Sequence, residues 1–313
     1  MTRTPKFKAS IFPLIFKGLL SGAVMLTLSA CKAPDSAPSH TPKIEGQAAP
    51  QASEAQSRLA PIRKALSCLP ESAAIIAAHR GTDERWKETA ENSIGGLQAL
   101  IDHGALMAEI DVAGLKDGTL ITFHDGVWDE ISTGTGPIAS TRKAGLEKIL
   151  LKSRDGKLTA ERPPLFADML KLAKGKLYIE VDFKSSADYR SVINAIHDAD
   201  MADQVLLISY SARQSAQLER LAPEMLRSNP PDAATPGHAV WLGYEVAKGN
   251  KSKSLKEKGN YTIGRIGDPR RQPPFSALRK AADILVTDQA ERYGGLEGLN
   301  RKARAEYEAC LTG

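Results

Sequence analysis

The fold is decided by four short segments: IIAAHRG (75–81), AENS (90–93), LMAEIDV (106–112) and LITFHDG (120–126). Three of them are apolar runs of strand length that carry titratable residues within or just after them. Side chains two positions apart on a strand share a face, so Glu109 and Asp111 point the same way. Two neighbouring carboxylates repel each other, and a divalent cation or a basic side chain between them is the usual solution.

Two histidines accompany this carboxylate pair. His79 follows the first apolar run and His124 follows the third. Either histidine alone is more typical of a cap or a packing residue, and exposed strands often carry two acids at this spacing. The combination favours acid–base chemistry beside a metal ion, because all four residues fall at or near the carboxyl ends of apolar runs.

The order of these motifs resembles that of the glycerophosphodiester phosphodiesterase family. The resemblance covers residues 75–293, most of the chain that follows the amino-terminal segment. The matching positions are His79-Arg80-Gly81, Glu91-Asn92-Ser93, Glu109-Ile110-Asp111-Val112, Asp117-Gly118, His124-Asp125, Glu180 and Thr287-Asp288.

The resemblance implies an enzyme that hydrolyses glycerophosphodiesters to glycerol 3-phosphate and an alcohol. It implies that His79 and His124 share the acid and base roles, and the sequence leaves open which is which. Arg80 would bind the phosphate of the substrate, with Glu91 as a supporting residue that orients a neighbouring group. Metal binding is assigned to Glu109, Asp111 and Glu180, and their oxygen ligands suit one divalent cation, Ca²⁺ or Mg²⁺.

The strand that carries Glu180 departs from the family pattern, which has glutamate and lysine two positions apart. Here Asp182 takes the lysine position, and Lys184 follows two residues later on the same face. Two interpretations stay open. Lys184 binds the substrate phosphate, or Asp182 is a fourth metal ligand.

The amino terminus has the features of an exported lipoprotein. We expect a signal peptide over residues 1–30, with basic residues before an apolar run and Leu-Ser-Ala before Cys31. Cys31 would be lipidated, which predicts a protein anchored in the cell envelope, at the outer membrane facing the periplasm in a Gram-negative cell. Residues 31–56 are rich in Ala, Pro, Ser and Gln and predict a flexible tether.

Net charge gives no argument for a nucleic-acid partner. The chain carries a formal charge of +5, but residues 1–30 hold four basic residues and no acid, so the remainder carries only +1.

Cys68 and Cys310 are the cysteines left after Cys31. Export places them in an oxidising compartment. Because the two ends of a closed barrel are neighbours in space, we predict a Cys68–Cys310 disulfide, with two buried thiols as the alternative.

Residues 57–313 alternate strand-like and helix-like segments, which predicts an α/β fold, a (β/α)8 TIM-type barrel. The predicted strands are Ile75–His79, Leu106–Val112, Leu120–His124, Lys176–Phe183, Val205–Ser209, Met225–Ser228, His238–Tyr244, Tyr261–Ile266 and Ile284–Val286. Only a short link with an Asp117-Gly118 turn separates the second strand from the third. A helical crossover does not fit there, so the barrel should be irregular at this point.

Two rival functions remain at this stage. One is a phospholipase D- or C-like enzyme of the same barrel type, acting on intact or lyso-phospholipid, which membrane tethering would suit. The other is a non-catalytic barrel that binds a phosphate compound. Retention of both histidines and of the carboxylates argues against a simple binding protein, which has no need of acid–base groups.

Overall fold

The structure is a computed structural model, and it describes residues 59–244, 250–267, 274–293 and 295–313. The predicted signal peptide, the lipidation site Cys31 and the tether lie outside the described residues. Within the described ranges, no helix is both long enough and apolar enough to cross a membrane.

The strands of the described ranges form one sheet. In chain order they are β1 (Ala74–Ala78), β2 (Met107–Gly114), β3 (Leu120–Thr122), β4 (Tyr178–Phe183), β5 (Val205–Ile208), β6 (Leu226–Asn229), β7 (Ala239–Gly243), β8 (Tyr261–Arg265), β9 (Ile284–Thr287) and β10 (Leu296–Glu297). All but β3 and β10 pair in parallel, and β1 pairs with both β2 and β9, so these eight described strands close into a ring. The predicted barrel is confirmed.

Helices cover the outside of this ring and one of its ends. They are α1 (Ile62–Cys68), α2 (Ile94–Asp102), α3 (Phe166–Ala173), α4 (Tyr189–Asp198), α5 (Ala212–Leu221), α6 (Lys251–Glu257), α7 (Phe275–Ala281), α8 (Ala290–Tyr293) and α9 (Arg301–Thr312). Ser93, Asp188, Ser211 and Asn300 cap helices α2, α4, α5 and α9 by accepting a backbone N–H of the first turn.

Alternate strand residues face opposite layers. Ile76 and Ile110 pack outward against the helices, whereas Ile75, Met107 and Ile284 fill the barrel interior. Every second residue of a strand lies on the same face. The residues that continue the inward positions to the carboxyl end of each strand therefore point into the mouth of the barrel.

Strand β3 explains the irregularity expected between the second and third strands. It runs antiparallel to β2, with Val112 opposite Thr122, and so it extends the sheet beside the barrel wall. A tight turn is sufficient for an antiparallel pair, whereas a parallel pair needs a crossover. The predicted strand therefore exists, but it is not one of the eight strands of the ring.

Residues 126–160 form a separate small layer that follows β3. Trp128 is buried at its centre, edge-on to Phe123, and its indole N–H donates to Thr141 Oγ1 at 2.8 Å. Trp128 is therefore a packing residue of this layer.

Helices α1 and α9 cover the end of the barrel where the strands begin. Ile62, Leu66 and Tyr307 pack with the inward residues of the ring. Cys68 and Cys310 are joined by a disulfide with a Cα–Cα distance of 5.8 Å. Residues close to the two ends of the barrel domain are thus covalently linked at the face opposite the strand carboxyl ends.

Candidate active site

Side chains from most strands of the ring converge on a cavity of about 340 Å³ at the carboxyl ends. These residues occupy the same alternating positions as the inward-facing core residues of their strands, so polar side chains from different strands meet there. The polar and aromatic lining consists of His79, Glu109, Asp111, His124, Glu180, Asp182, Lys184, Tyr210, Trp241, Tyr244 and Arg265.

Four buried carboxylates form one wall of the cavity. Glu109 is in register with Glu180, and Asp111 with Asp182, on the neighbouring strands β2 and β4. Ligand oxygens of Glu109, Asp111 and Asp182 lie within 4.8 Å of one another. Glu180, which the sequence placed among the metal ligands, is outside this closest set but lines the same cavity, while Asp182 is within it.

Burial and mutual repulsion disfavour the charged forms of these carboxyls. Burial, followed by the charge of Asp111, raises the pKa of Glu109 well above its usual value. Burial, followed by the charge of Asp182, raises the pKa of Glu180 to about 8. The fold therefore favours the protonated form of Glu180 at neutral pH unless a cation compensates its charge, and it shifts Glu109 in the same direction.

The donor set fits a divalent cation. Neither carboxyl oxygen of Glu180 has a hydrogen-bond partner among the described residues, and Oδ1 of Asp182 has none either. Along the cavity, four carboxylates face only two cationic side chains, Lys184 and Arg265, so one divalent ion would cancel the excess charge. Carboxylate oxygens are the ligands that hard cations such as Ca²⁺ and Mg²⁺ prefer.

Lys184 bridges two of these carboxylates. Its Nζ atom lies 2.5 Å from Asp111 Oδ1 and 2.7 Å from Asp182 Oδ2. Burial alone would lower the pKa of Lys184, but the two carboxylates outweigh it and raise the pKa. Both residues proposed for the departure from the family pattern therefore belong to one charge network.

The HRG turn after β1 is held in a strained conformation. Arg80 has a φ of 56°, which non-glycine residues rarely adopt. This conformation directs the Arg80 N–H to Glu109 Oε2 at 2.9 Å. The turn packs closely on α2, where a side chain on Gly96 would lie 2.8 Å from the carbonyl oxygen of Gly81.

The guanidinium of Arg80 is paired with Glu91. Its Nη1 lies 2.8 Å from Oε1 and 3.1 Å from Oε2 of that carboxylate. Burial would lower the pKa of Arg80, but Glu91 and Asp111 outweigh burial and raise it. Glu91 therefore orients the Arg80 guanidinium.

Asn92 fixes the orientation of Asp111. Its side-chain N–H donates to Asp111 Oδ2 at 2.7 Å, and its oxygen accepts the Asp111 backbone N–H at 2.9 Å. Asn92 has a φ of 54°, a conformation that asparagine tolerates better than most residues. The next residue, Ser93, caps α2.

His79 is oriented by an aspartate from the last strand of the ring. Asp288 Oδ1 lies 2.9 Å from His79 Nδ1 and accepts a hydrogen bond from it when Nδ1 carries the proton, and Arg265 Nη2 lies 3.0 Å from the same nitrogen. The other ring nitrogen, Nε2, lies 3.9 Å from Glu109 Oε2. Burial, partly opposed by Asp288 and reinforced by Arg265, lowers the pKa of His79.

His124 has a matching arrangement on the other side of the mouth. Its Nδ1 lies 2.7 Å from Asp125 Oδ1, and the ring lines the same cavity as His79. Each histidine therefore has a carboxylate on Nδ1, which leaves Nε2 as the atom able to exchange a proton with a bound molecule.

Two residues that sequence analysis left without a role belong to this site. Asp288 directly follows β9 at an inward-facing position, like the other residues of the site. The sequence gives it no role beyond its match to the Thr287-Asp288 motif of the family. Tyr210 donates its hydroxyl to Asp182 Oδ2 at 2.8 Å from beyond the end of β5. Arg265 Nη2 lies 2.6 Å from Asp288 Oδ2.

Fold and site together define an α/β-barrel protein in which a buried carboxylate cluster, suited to a metal ion, lies beside two carboxylate-paired histidines. The sequence model of the glycerophosphoryl diester phosphodiesterase family matches residues 79–227, the segment that supplies both histidines and all four carboxylates. This part of the chain is similar to that family, in agreement with the resemblance seen in the sequence.

One curated relative and several solved structures are similar to this chain. A glycerophosphodiester phosphodiesterase of Caldanaerobacter subterraneus subsp. tengcongensis is 25% identical over 158 residues, covering 48% of this chain and 64% of its own length. Among solved structures, a glycerophosphoryl diester phosphodiesterase from Parabacteroides distasonis has a TM-score of 0.63 at 19% identity, covering 82% of this chain and 93% of that one. An Oleispira antarctica phosphodiesterase has a TM-score of 0.57 at 18% identity, covering 78% and 99%.

Proposed function

We propose that the protein hydrolyses glycerophosphodiesters to glycerol 3-phosphate and an alcohol, using a divalent cation and two histidines. The observation that carries this proposal is the placement of His79 and His124 on the cavity lined by the carboxylate cluster. The similar Oleispira antarctica protein was solved in complex with the product sn-glycerol-3-phosphate, which supports the same substrate class here.

Charge neutralisation is the first requirement, because a phosphodiester anion repels a nucleophile. Glu109 and Asp111, with Asp182 or Glu180, would hold a divalent ion, and that ion, Ca²⁺ or Mg²⁺, supplies positive charge beside the phosphate. Arg80 is proposed to bind a non-bridging oxygen with a donor that Glu91 does not use. Lys184 is proposed to contribute to phosphate binding from its position between Asp111 and Asp182.

Proton transfer is the second requirement, and the histidines are proposed to provide it. One Nε2 accepts the proton of the attacking oxygen, and the other protonates the departing alkoxide. The attacking oxygen is either a water molecule or the neighbouring hydroxyl of the glycerol moiety. In the second case a cyclic phosphate forms first and water then opens it.

We also propose that the protein acts in the cell envelope, held at a membrane through acylated Cys31. This rests on the sequence of residues 1–56 alone. The metal and histidine roles do not depend on it.

The test is release of glycerol 3-phosphate from glycerophosphocholine by the purified protein with Ca²⁺, Mg²⁺ or EDTA. We expect release with a divalent cation, loss in EDTA, and a fall of at least about 100-fold in His79→Ala and His124→Ala, the scale of a lost acid–base group. His197→Ala is the matched control, since His197 lies exposed on α4 and pairs with Glu224. Hydrolysis of micellar lysophospholipid without attack on the soluble diester would favour the phospholipase alternative.

A further inference from the structure

Asp288 receives donors from three directions. Besides His79 on Oδ1 and Arg265 on Oδ2, the guanidinium of Arg154 approaches Oδ1, with Nη1 at 3.3 Å and Nη2 at 3.4 Å. His79, Asp288 and Arg265 belong to the barrel. Arg154 belongs to residues 126–160, the layer outside it.

Arg154 occupies the tip of a tight hairpin in that layer. Lys152 pairs with Leu158, and Ser153 N–H donates to the Lys157 carbonyl at 2.8 Å. The side chain of Arg154 is 27% exposed, whereas that of Lys157 on the same turn is 76% exposed. The hairpin therefore directs Arg154, but not Lys157, toward the barrel mouth.

The distance between Arg154 and Asp288 indicates how much their contact contributes to stability. Charge-assisted hydrogen bonds of full strength are about 2.7–2.9 Å long, so at 3.3–3.4 Å the Arg154 pair adds little to the stability of the fold. Contacts around acid–base groups commonly tighten only when substrate is bound. A third donor restricts rotation of the Asp288 carboxylate, and that carboxylate sets the orientation of the His79 ring.

We propose that Arg154 is a positioning residue for the reaction, acting through Asp288 to hold His79 in its productive orientation. The outer layer thereby contributes to turnover without lining the cavity itself. The kinetic part of this inference rests on the proposed hydrolysis. The orientation of the His79 ring can also be measured without turnover.

The kinetic test compares Arg154→Gln with Arg142→Gln, an exposed arginine of the same layer. We expect kcat to fall about tenfold in Arg154→Gln, less than the loss of an acid–base group itself, with KM within about twofold. Arg154→Lys should recover part of kcat, and the melting temperature should match that of the control. Unchanged kcat with a raised KM would assign Arg154 to substrate binding and overturn the proposal.

A double-mutant comparison isolates the route of the effect. If Arg154 acts through Asp288, Arg154→Gln should cost nothing further in an Asp288→Asn background. Full additivity of the two losses would overturn the proposal.

A readout free of catalysis separates this inference from the proposed function. In protein labelled with ¹⁵N-histidine, the Nδ1 proton of His79, assigned by its absence in His79→Ala, should give a resolved signal in the parent protein and in Arg142→Gln. It should broaden or vanish in Arg154→Gln. An unchanged signal in Arg154→Gln would overturn the inference whether or not the protein hydrolyses diesters.

Discussion

The ammonium of Lys184 lies 2.5 Å from Oδ1 of Asp111, a residue that is only 1% exposed. This contact places a fixed positive charge within the carboxylate cluster and leaves less negative charge for a metal ion to neutralise. The cluster therefore has both of the solutions that the sequence offered for neighbouring carboxylates, a basic side chain and room for a cation.

Removing that ammonium should destabilise the metal-free protein. Lys184→Met leaves Asp111 and Asp182 buried without a cation, and breaking a buried pair costs about 3–5 kcal/mol. We expect the melting temperature in EDTA to fall and added Ca²⁺ or Mg²⁺ to raise it more in the variant than in the parent. Thermal unfolding with and without metal measures both.

The control for that experiment is Lys157→Met. Lys157 pairs with Asp155 at 2.9 Å, but its side chain is 76% exposed, and such pairs contribute little. Equal melting temperatures for Lys184→Met, Lys157→Met and the parent in EDTA would contradict the network described here.

Glu180 should make the stability of the metal-free protein depend on pH. Its pKa is about 8 in the fold, against a usual value of 4.5, so the folded state holds a proton that the unfolded state releases. The stabilisation is complete below about pH 4.5 and is lost as pH rises toward 8. Urea unfolding in EDTA across this window should show the decline, and Glu180→Gln should flatten it.

Metal should oppose this trend, because a divalent cation binds the ionised carboxylates. The pH dependence of stability that Asp288 contributes has the opposite sign, because His79 and Arg265 outweigh its burial and hold its pKa below the usual 3.8. Its contribution is lost only in more acidic solution. A decline that persists unchanged in Glu180→Gln would show that another group is responsible.

Asn92 should control metal affinity without touching the metal. Asn92→Ala removes both hydrogen bonds that fix Asp111, and loss of such outer contacts typically weakens metal binding about 10- to 100-fold. Isothermal titration with Ca²⁺ or Mg²⁺ measures the change. Asn300→Ala, which removes the cap of α9, should lower stability by about 1 kcal/mol and leave affinity unchanged.

The disulfide should act on stability alone. Cys68 and Cys310 are 242 residues apart, and closing a loop of that length contributes up to about 5 kcal/mol in the chain-entropy model. We expect the Cys68→Ser/Cys310→Ser variant to unfold at lower urea concentration while keeping the turnover of the parent at 25 °C. Loss of turnover in the folded variant would mean that the two ends of the barrel are coupled.

The sequence was sufficient for the barrel because its signals are local. Apolar runs mark the strands, and parity along β2 and β4 identifies Glu109, Asp111 and Glu180 as residues of one face. The short link after Asp111 also revealed the irregularity. The sequence pattern could not give the antiparallel direction of β3, because strand direction depends on the path of the connecting chain in three dimensions.

Contacts between distant segments could not be predicted in the same way. The approach of Arg154 to Asp288 joins residues 134 apart, and no spacing rule relates a hairpin tip to a strand end. The sequence could not decide between the roles of Asp182 and Lys184 for a similar reason. Both residues lie on the same face of their strand, and only the length of the side chain distinguishes them. Tyr210 gave no signal because an exposed tyrosine after a strand is ordinary.

The bond between Cys68 and Cys310 also determines how the molecule carries mechanical load. If the protein is pulled at positions 59 and 313, tension passes from α1 to α9 through the disulfide and bypasses the barrel between them. Extension is then limited to the short segments outside the bond, and the chain from 69 to 309 can lengthen only after reduction. An oxidised domain should therefore behave as a nearly inextensible link, with its open mouth on the side away from the line of force.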